Sequence, residues 1–319
     1  MNTLLSLKHE DHGIFVVDTG FPQASSDAAY LMVEQGRAAF VDTGTHTAVP
    51  RLLAALAQRG LTPDCVDWVI LTHVHLDHAG GAGLLMQALP NAKLVVHARG
   101  KRHMIDPTQL LAGVRAVYGE EVTARDYGTL LPVPAERIVD VVDGRVVRLA
   151  ERRLQLFDTP GHARHHLCVW DEVSRGWFTG DTLGVAYPEF HSTQGHYGLP
   201  TTSPAQFDPP ALKASVHRML GFEPAYAYLT HYGVIDRVAE QARMVLGQID
   251  RMVELADRFE RTPDRTAVLG VALTQLYAAE ARAAGVTLDN AAIEARLALD
   301  TLLNVQGLEV WLDSRKVGA

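Results

Sequence analysis

Four side chains that can bind a metal lie within six consecutive residues, at His73, His75, Asp77 and His78. They follow residues 67–71, a largely apolar run that predicts a β-strand. In extended backbone alternate side chains point the same way, so His73 and His75 can share one ion, whereas a helix would separate them. Buried imidazoles and carboxylates need polar partners, and a metal ion supplies them. The segment therefore predicts a metal site at a strand end.

The segment 72–78, Thr-His-Val-His-Leu-Asp-His, resembles the signature of the metallo-β-lactamase superfamily, in its glyoxalase II-like branch. Further segments resemble the remaining family elements in the same chain order: Asp-Thr-Gly at 42–44, Thr-Pro-Gly-His at 159–162, Phe-Thr-Gly-Asp at 178–181 and Leu-Thr-His at 229–231. The resemblance covers residues 12–235. It implies an α/β fold, an αββα sandwich of two mixed sheets flanked by helices.

The resemblance also implies two divalent metal ions. The expected ligands are His73, His75 and His162 for one ion, and Asp77, His78 and His231 for the other, with Asp181 bridging both. Imidazole and carboxylate groups suit first-row divalent metals, so zinc is the first candidate, with iron and manganese as alternatives. Asp42 is implied as a supporting carboxylate, and His166 as a histidine that orients the ligands or, alternatively, as a plain core residue.

Such a metal pair activates water near neutral pH, and Asp77 and Asp181 are the expected catalytic carboxylates. We therefore expect hydrolysis of an ester-type bond in a small molecule: a thioester, a lactone or ester, or a phosphodiester. The likeness to glyoxalase II, which also has C-terminal helices, favours the thioester. The alternatives are a mononuclear-iron persulfide dioxygenase, which would use His73, His162 and Asp181, and a non-catalytic regulatory member.

The composition of the chain limits which classes of partner and which cellular compartment we expect. The chain has 319 residues with 47% hydrophobic and 21% charged, which is typical of a globular protein. Its net charge, 29 − 37 = −8, disfavours nucleic acid. Two cysteines, Cys65 and Cys168, exclude a disulfide framework. The polar residues 8–12 disfavour a signal peptide, and no apolar run is long enough to span a membrane. We expect a cytoplasmic protein, and the sequence allows a homo-oligomer.

The chemical motifs lie in residues 1–234, which we expect to form the catalytic domain. Residues 235–319 have helical periodicity and predict a C-terminal helical extension, with breaks near 262–265 and 285–288. The stretch 184–210 is rich in Pro, Gly, Ser and Thr and predicts a long loop beside the metals. Within it, Tyr187 and His191 are candidates to donate a proton to substrate oxygen, or side chains that pack for stability.

Overall fold

The computed structural model describes residues 11–192, 195–203 and 206–317. Residues 8–10, whose charges contribute to the prediction that no signal peptide is present, lie outside the described residues. The chain forms two compact units. Of the described residues, the first unit comprises 11–158, 165–180 and 225–236. The second unit comprises the described parts of 159–164, 181–224 and 237–317.

The first sheet of the first unit is six-stranded and mixed. Its strands, in spatial order, are β1 Ile14–Asp18, β2 Ala28–Glu34, β3 Arg37–Val41, β4 Val66–Ile70, β5 Lys93–His97 and β6 Ile138–Val141. The first three strands pair antiparallel, and β3 through β6 pair parallel. In the parallel part the strands all end at one edge, so the residues that follow β3 and β4 meet there.

The second sheet of the first unit is also six-stranded. Its strands, in spatial order, are β14 Gly233–Ile235, β13 Tyr226–Leu229, β10 Gly176–Gly180, β9 Leu167–Asp171, β8 Arg152–Asp158 and β7 Arg145–Leu149. Strands β10 and β13 pair parallel and the other neighbours pair antiparallel. Both sheets are therefore mixed, as the sequence predicts.

The two sheets share an apolar core. Side chains of a strand alternate between its two faces, and β2 shows the consequence. Tyr30 and Met32 join Leu154 and Phe178 of the second sheet in one buried cluster. Ala29 and Leu31 lie in another cluster, with the apolar side of the first helices.

The helices of the first unit are α1 Val49–Gln58, α2 Leu76–Ala79, α3 Ala82–Ala88, α4 Lys101–Ile105, α5 Thr108–Tyr118 and α6 Glu120–Asp126. Helix α1 has apolar residues at helical spacing, and it buries Leu52 and Leu56. The stretch 100–135 contains α4, α5 and α6.

The second unit is mainly helical. Its elements are the short strands β11 His191–Ser192 and β12 Gly195–His196, and the helices α7 Pro209–Leu220, α8 Val238–Phe259, α9 Arg265–Ala283, α10 Asn290–Arg296 and α11 Ala298–Val317. The predicted break at 285–288 falls between α9 and α10, and the one at 262–265 ends on the first residue of α9. Asp208 and Asp289 cap α7 and α10, accepting hydrogen bonds from Ala211 N at 3.1 Å and Ala292 N at 2.8 Å.

The division into units differs in one respect from the predicted boundary at residue 234. The first unit ends close by, at Asp236, but the second unit also takes in 159–164 and 181–224. Buried side-chain amides of the C-terminal helices explain this, because Gln241 donates to Leu183 O at 2.8 Å and Gln248 donates to Gly198 O at 2.7 Å. These bonds satisfy buried loop carbonyls and tie the loop to the helices.

Cys65 and Cys168 are not joined by a disulfide, and Cys168 is buried. Among the described residues, no helix is both long and apolar enough to cross a bilayer.

Candidate metal centre

His73 and His75 lie after β4, where the chain runs on into α2. His75 has extended backbone, with φ −65° and ψ 150°, and it begins the turn into α2. The Nε2 atom of His73 lies 2.8 Å from Nδ1 of His75, and His73 is fully buried. Two imidazole nitrogens that converge in this way are a ready pair of ligands for one ion. The predicted extended backbone is therefore present, and the side chains of His73 and His75 lie on the same side of it.

Asp77, His78 and His231 form a second group in the first unit. Each offers one ligand atom, and these atoms lie within 4.8 Å of one another. The Asp77 Oδ2 atom is 3.7 Å from His78 Nε2 and 3.5 Å from His231 Nε2. Helix α2 carries Asp77 and His78, while His231 follows the end of β13. The single turn of α2 thus places the side chains of Asp77 and His78 near the end of β13 in the second sheet.

Hydrogen bonds fix the ring orientation of both histidines in this group. His78 Nδ1 lies 2.9 Å from Asp42 Oδ2, and His231 Nδ1 lies 3.1 Å from the carbonyl oxygen of Ser26. A carboxylate and a carbonyl accept hydrogen bonds, so each Nδ1 carries the proton. The Nε2 lone pair of each ring can therefore serve as a metal ligand.

Asp42, which the resemblance implies as a supporting carboxylate, contacts one of the predicted ligands. Its carboxylate accepts hydrogen bonds from Thr72 N at 2.8 Å and from Thr230 Oγ1 at 3.1 Å, in addition to His78. Its backbone has φ 57°, a conformation that Asp tolerates better than most residues. One buried carboxylate thereby joins the end of β4 to the end of β13, and so joins the two strand ends that carry ligands.

His162 and Asp181 lie in the second unit and contact each other. His162 Nε2 is 3.2 Å from Asp181 Oδ2, and both side chains are almost wholly buried. His162 Nδ1 donates to the carbonyl oxygen of Thr201 at 3.2 Å, which again leaves Nε2 as the ligand atom. Gly161, with φ 133°, precedes His162, and a Cβ there would lie 2.2 Å from the backbone of Leu212. The Thr-Pro-Gly-His segment needs its glycine for that close approach.

His166 packs against a predicted ligand. Its ring stacks on His73 with centroids 4.9 Å apart, and it is fully buried. Gly180 makes room for it, since a Cβ at that position would lie 2.5 Å from His166 Nε2. His165 is also buried, and its ring centroid is 5.6 Å from that of His75. Sequence analysis did not single out His165, because no spacing rule distinguishes it from its neighbour.

Asp27 is a carboxylate near the centre that sequence analysis missed. It is fully buried, and Thr19 Oγ1 donates to its Oδ2 at 2.8 Å. Burial raises the pKa of Asp27 to about 7, although the nearby His231 and His78 partly oppose the rise. Its position in Ser-Ser-Asp before a strand carries no metal-ligand spacing, so no local pattern marks it.

The two loop candidates, Tyr187 and His191, have different surroundings. Tyr187 is buried, its hydroxyl donates to Asp300 Oδ1 at 3.1 Å, and the Arg296 guanidinium lies 3.4 Å from its ring centroid. These contacts match the packing alternative. His191 is exposed and pairs with His196 across the β11–β12 hairpin.

The donor set fits a divalent metal. In His78, His162 and His231 the proton is held on Nδ1 and a carboxylate lies near Nε2. This combination of imidazole and carboxylate groups is the ligand chemistry of zinc and similar ions. Buried carboxylates and imidazoles with converging lone pairs are costly unless a cation joins them. The clusters support divalent metal binding.

Comparisons with known proteins agree with this chemistry. A family model described as "Metallo-beta-lactamase superfamily" matches residues 25–231. The chain is 25% identical over 228 residues to the metallo-beta-lactamase fold-containing protein ST1585 of Sulfurisphaera tokodaii, covering 70% of this chain and 78% of that one. It is 31% identical over 153 residues to a hydroxyacylglutathione hydrolase of Salmonella paratyphi A, covering 48% of this chain and 45% of that one.

A solved structure extends the likeness to the C-terminal helices. The metallo-beta-lactamase family protein TTHA1429 of Thermus thermophilus matches with a TM-score of 0.66 at 20% identity, covering 96% of this chain and 94% of that one. The fold is thus the predicted sandwich of two mixed sheets with C-terminal helices. The metal clusters and the hydrolase named among the relatives support a metal-dependent hydrolase in general class. Because the family model spans well over half of the chain, the chain belongs to the metallo-beta-lactamase superfamily.

Proposed function

We propose that the protein hydrolyses an ester-type bond of a small molecule, with a thioester as the first candidate. Two divalent ions, zinc before iron or manganese, are the proposed cofactors. Their proposed ligands are His73, His75, Asp77, His78, His162, Asp181 and His231. The observation that carries the proposal is the cluster of Asp77, His78 and His231, whose ligand atoms lie within 4.8 Å of one another.

The residues divide the chemical work. When bound, the divalent ions lower the pKa of a coordinated water and polarise the substrate oxygen. Asp77 is the more exposed of the two predicted carboxylate ligands, with 28% of its side chain accessible against 5% for Asp181. An accessible carboxylate can accept a proton from an attacking water, so Asp77 is the proposed general base. The buried Asp181 is the proposed bridging ligand, and its Oδ2 lies 3.2 Å from His162 Nε2.

Two facts favour a thioester over the other ester-type bonds. The first is that one relative is named a hydroxyacylglutathione hydrolase. The second is the C-terminal helical extension, which glyoxalase II also has. The chain spans about half the length of that relative. A small molecule remains the proposed partner, since the net charge of −8 disfavours nucleic acid. The thiols of Cys65 and Cys168, which form no disulfide, support the cytoplasm as the proposed compartment.

The test begins with metal content per chain, measured by plasma mass spectrometry on protein purified without added metal. Two equivalents of metal, with hydrolysis of a thioester in a panel that also holds a lactone and a phosphodiester, support the proposal. One equivalent of iron, with oxygen uptake on a persulfide, would assign the dioxygenase activity instead. Metal without turnover of any kind would favour the regulatory alternative.

A matched pair of variants tests the ligands. Asp181→Asn should lose metal and turnover together while circular dichroism shows an intact fold. Asp250→Asn, which removes an exposed carboxylate paired with Lys213, should keep both. Retention of full metal and turnover by the Asp181 variant would reject the ligand assignment.

A further inference from the structure

The side chain of Asn304, in α11, is fully buried and uses its whole amide. Its Nδ2 donates to the carbonyl oxygen of Pro200 at 3.0 Å and to the hydroxyl of Tyr277 at 2.7 Å. Its Oδ1 accepts from Thr202 N at 2.9 Å. Hydrogen bonds are directional, so a buried amide that makes all of these bonds holds its neighbours in one arrangement.

The carbonyl group of Thr201 lies between Pro200 and Thr202, the two loop residues that Asn304 contacts. That carbonyl oxygen accepts the hydrogen bond from His162 Nδ1 at 3.2 Å. Asn304 therefore holds Pro200 and Thr202. The Thr201 carbonyl between them fixes the proton and the ring orientation of His162. The connection runs within the second unit, from a C-terminal helix through one loop peptide to a predicted metal ligand.

Tight packing at the same place restricts the loop further. Thr202 Oγ1 donates to the carbonyl oxygen of Leu303 at 3.0 Å. One turn along α11, a Cβ at Gly307 would lie 2.1 Å from Thr202 Oγ1. The helix thus approaches the loop closely enough that only glycine fits at 307, and the peptide that carries the Thr201 carbonyl has little freedom to rotate.

We infer that Asn304 is a positioning residue for the metal ligand His162, acting through the Thr201 carbonyl. This inference rests on the proposed metal site. An oxygen acceptor at Nδ1 keeps the proton off Nε2 and raises the basicity of Nε2 as a ligand. If the loop peptide rotates, His162 loses that acceptor, and its ring can adopt the wrong tautomer or orientation. The C-terminal extension then contributes to metal affinity as well as to the fold.

The test compares Asn304→Leu with Gln248→Leu. Gln248 is an equally buried amide in α8, which donates to Gly198 O and accepts from Tyr197 Oη at 2.9 Å, so its loss also removes loop hydrogen bonds. Zinc dissociation constants are measured by competition with a fluorescent chelator. We expect Asn304→Leu to weaken zinc binding by roughly 10- to 100-fold, the usual effect of removing a partner that supports a ligand. Gln248→Leu should lower the melting temperature while zinc affinity stays near wild type.

An unchanged zinc affinity in Asn304→Leu would overturn the inference, and so would an equal loss in both variants, because the effect would then be one of general stability. If Asn304→Leu does not fold, Asn304→Asp replaces it. The aspartate keeps the acceptor for Thr202 N and loses the donor to Pro200 O, so an intermediate loss of affinity is expected and no loss would count against the inference.

A spectroscopic readout separates positioning from activity. In zinc-loaded protein with ¹⁵N-labelled histidine, His162 should show a protonated Nδ1 and a metal-bound Nε2, and this signal should change in the Asn304 variants only. A wild-type His162 protonated on Nε2 would refute the inference. Should wild-type protein bind no zinc at all, the proposed function fails first, and the two failures are thereby distinguishable.

Discussion

The carboxylate of Asp42 and the imidazole of His78 form a buried pair, with Oδ2 and Nδ1 2.9 Å apart. Thr72 Oγ1 donates to the same carboxylate oxygen at 2.8 Å. The pair explains how an aspartate that is not a predicted ligand controls a histidine that is. With its Nδ1 proton donated to Asp42, His78 presents an unprotonated Nε2 towards Asp77.

Replacing Asp42 with asparagine should weaken metal binding at the group of Asp77, His78 and His231. Asparagine tolerates the positive φ of this position, so the backbone is preserved. Its amide N–H would face the Nδ1 proton of His78, and the ring would have to shift that proton to Nε2 or turn away. We expect a loss of roughly 10- to 100-fold in affinity for one zinc equivalent, measured by chelator competition. Asp67→Asn, which breaks a half-exposed pair with Arg37, is the control and should bind zinc normally.

Asp27 predicts a pH dependence of stability in the metal-free protein. Burial raises the pKa of Asp27 from 3.8 to about 7, so the folded state holds this proton more tightly than the unfolded chain does. The contribution to stability is complete below about pH 4 and is lost as the pH rises towards about 7. Since one pKa unit corresponds to about 1.4 kcal/mol, the loss is at most roughly 4 kcal/mol.

Asp27→Asn should remove this slope. Urea unfolding of the metal-free proteins is measured between about pH 4 and pH 8. As the pH rises, the free energy of unfolding of the variant should increase relative to that of the wild type. Parallel stability curves for the two proteins would mean that Asp27 is ionised at neutral pH in the folded state.

The parts of the site that depend on local order could be predicted from the sequence. Candidate ligands at strand ends follow from spacing, as in the segment from Thr72 to His78, and the C-terminal helices follow from their apolar period. Both signals are contained within a few residues, which is why the prediction needed no tertiary information. The resemblance added the chain order of the later elements and the supporting role of Asp42.

The missed residues act across long sequence separations. Asn304 contacts Thr202 at a separation of 102 residues, and nothing near either residue marks the pair. A buried amide in a helix has the same local pattern as a surface one, so its role is set by tertiary packing alone. Tyr187 also has a distant partner, because its hydroxyl donates to Asp300 at a separation of 113 residues, and its place in the loop that follows Asp181 does not indicate this contact.

The buried pair of Arg152 and Asp171 should be a strong determinant of stability. Both side chains have no exposed surface, and Arg152 Nε donates to Asp171 Oδ1 at 2.8 Å. Burial alone would raise the pKa of Asp171, but the hydrogen bonds from Arg152 and Ser174 outweigh it and hold the pKa below its ordinary value. This contribution to stability is therefore present at neutral pH and is lost as the pH falls through the folded pKa.

Arg152→Met leaves the Asp171 carboxylate buried without its cation. We expect a loss of about 3 to 5 kcal/mol in the free energy of unfolding at neutral pH, measured by urea titration. The deficit should shrink at acid pH, where Asp171 becomes protonated, and Arg152→Met combined with Asp171→Asn should recover part of it. A loss below about 1 kcal/mol, typical of surface ion pairs, would contradict the buried pairing.

Removal of metal should destabilise the protein through simple linkage. An ion that binds only the folded state adds about 2.7 kcal/mol of stability when its free concentration is about 100 times its dissociation constant. The chelated protein should therefore melt several degrees below the zinc-loaded protein. Asp181→Asn should lose most of this difference, because without a proposed ligand it should not hold the metal, whereas Asp250→Asn should retain all of it. Calorimetric scans in which zinc leaves the melting temperature of the wild type unchanged would show that these clusters do not bind the ion in the folded state.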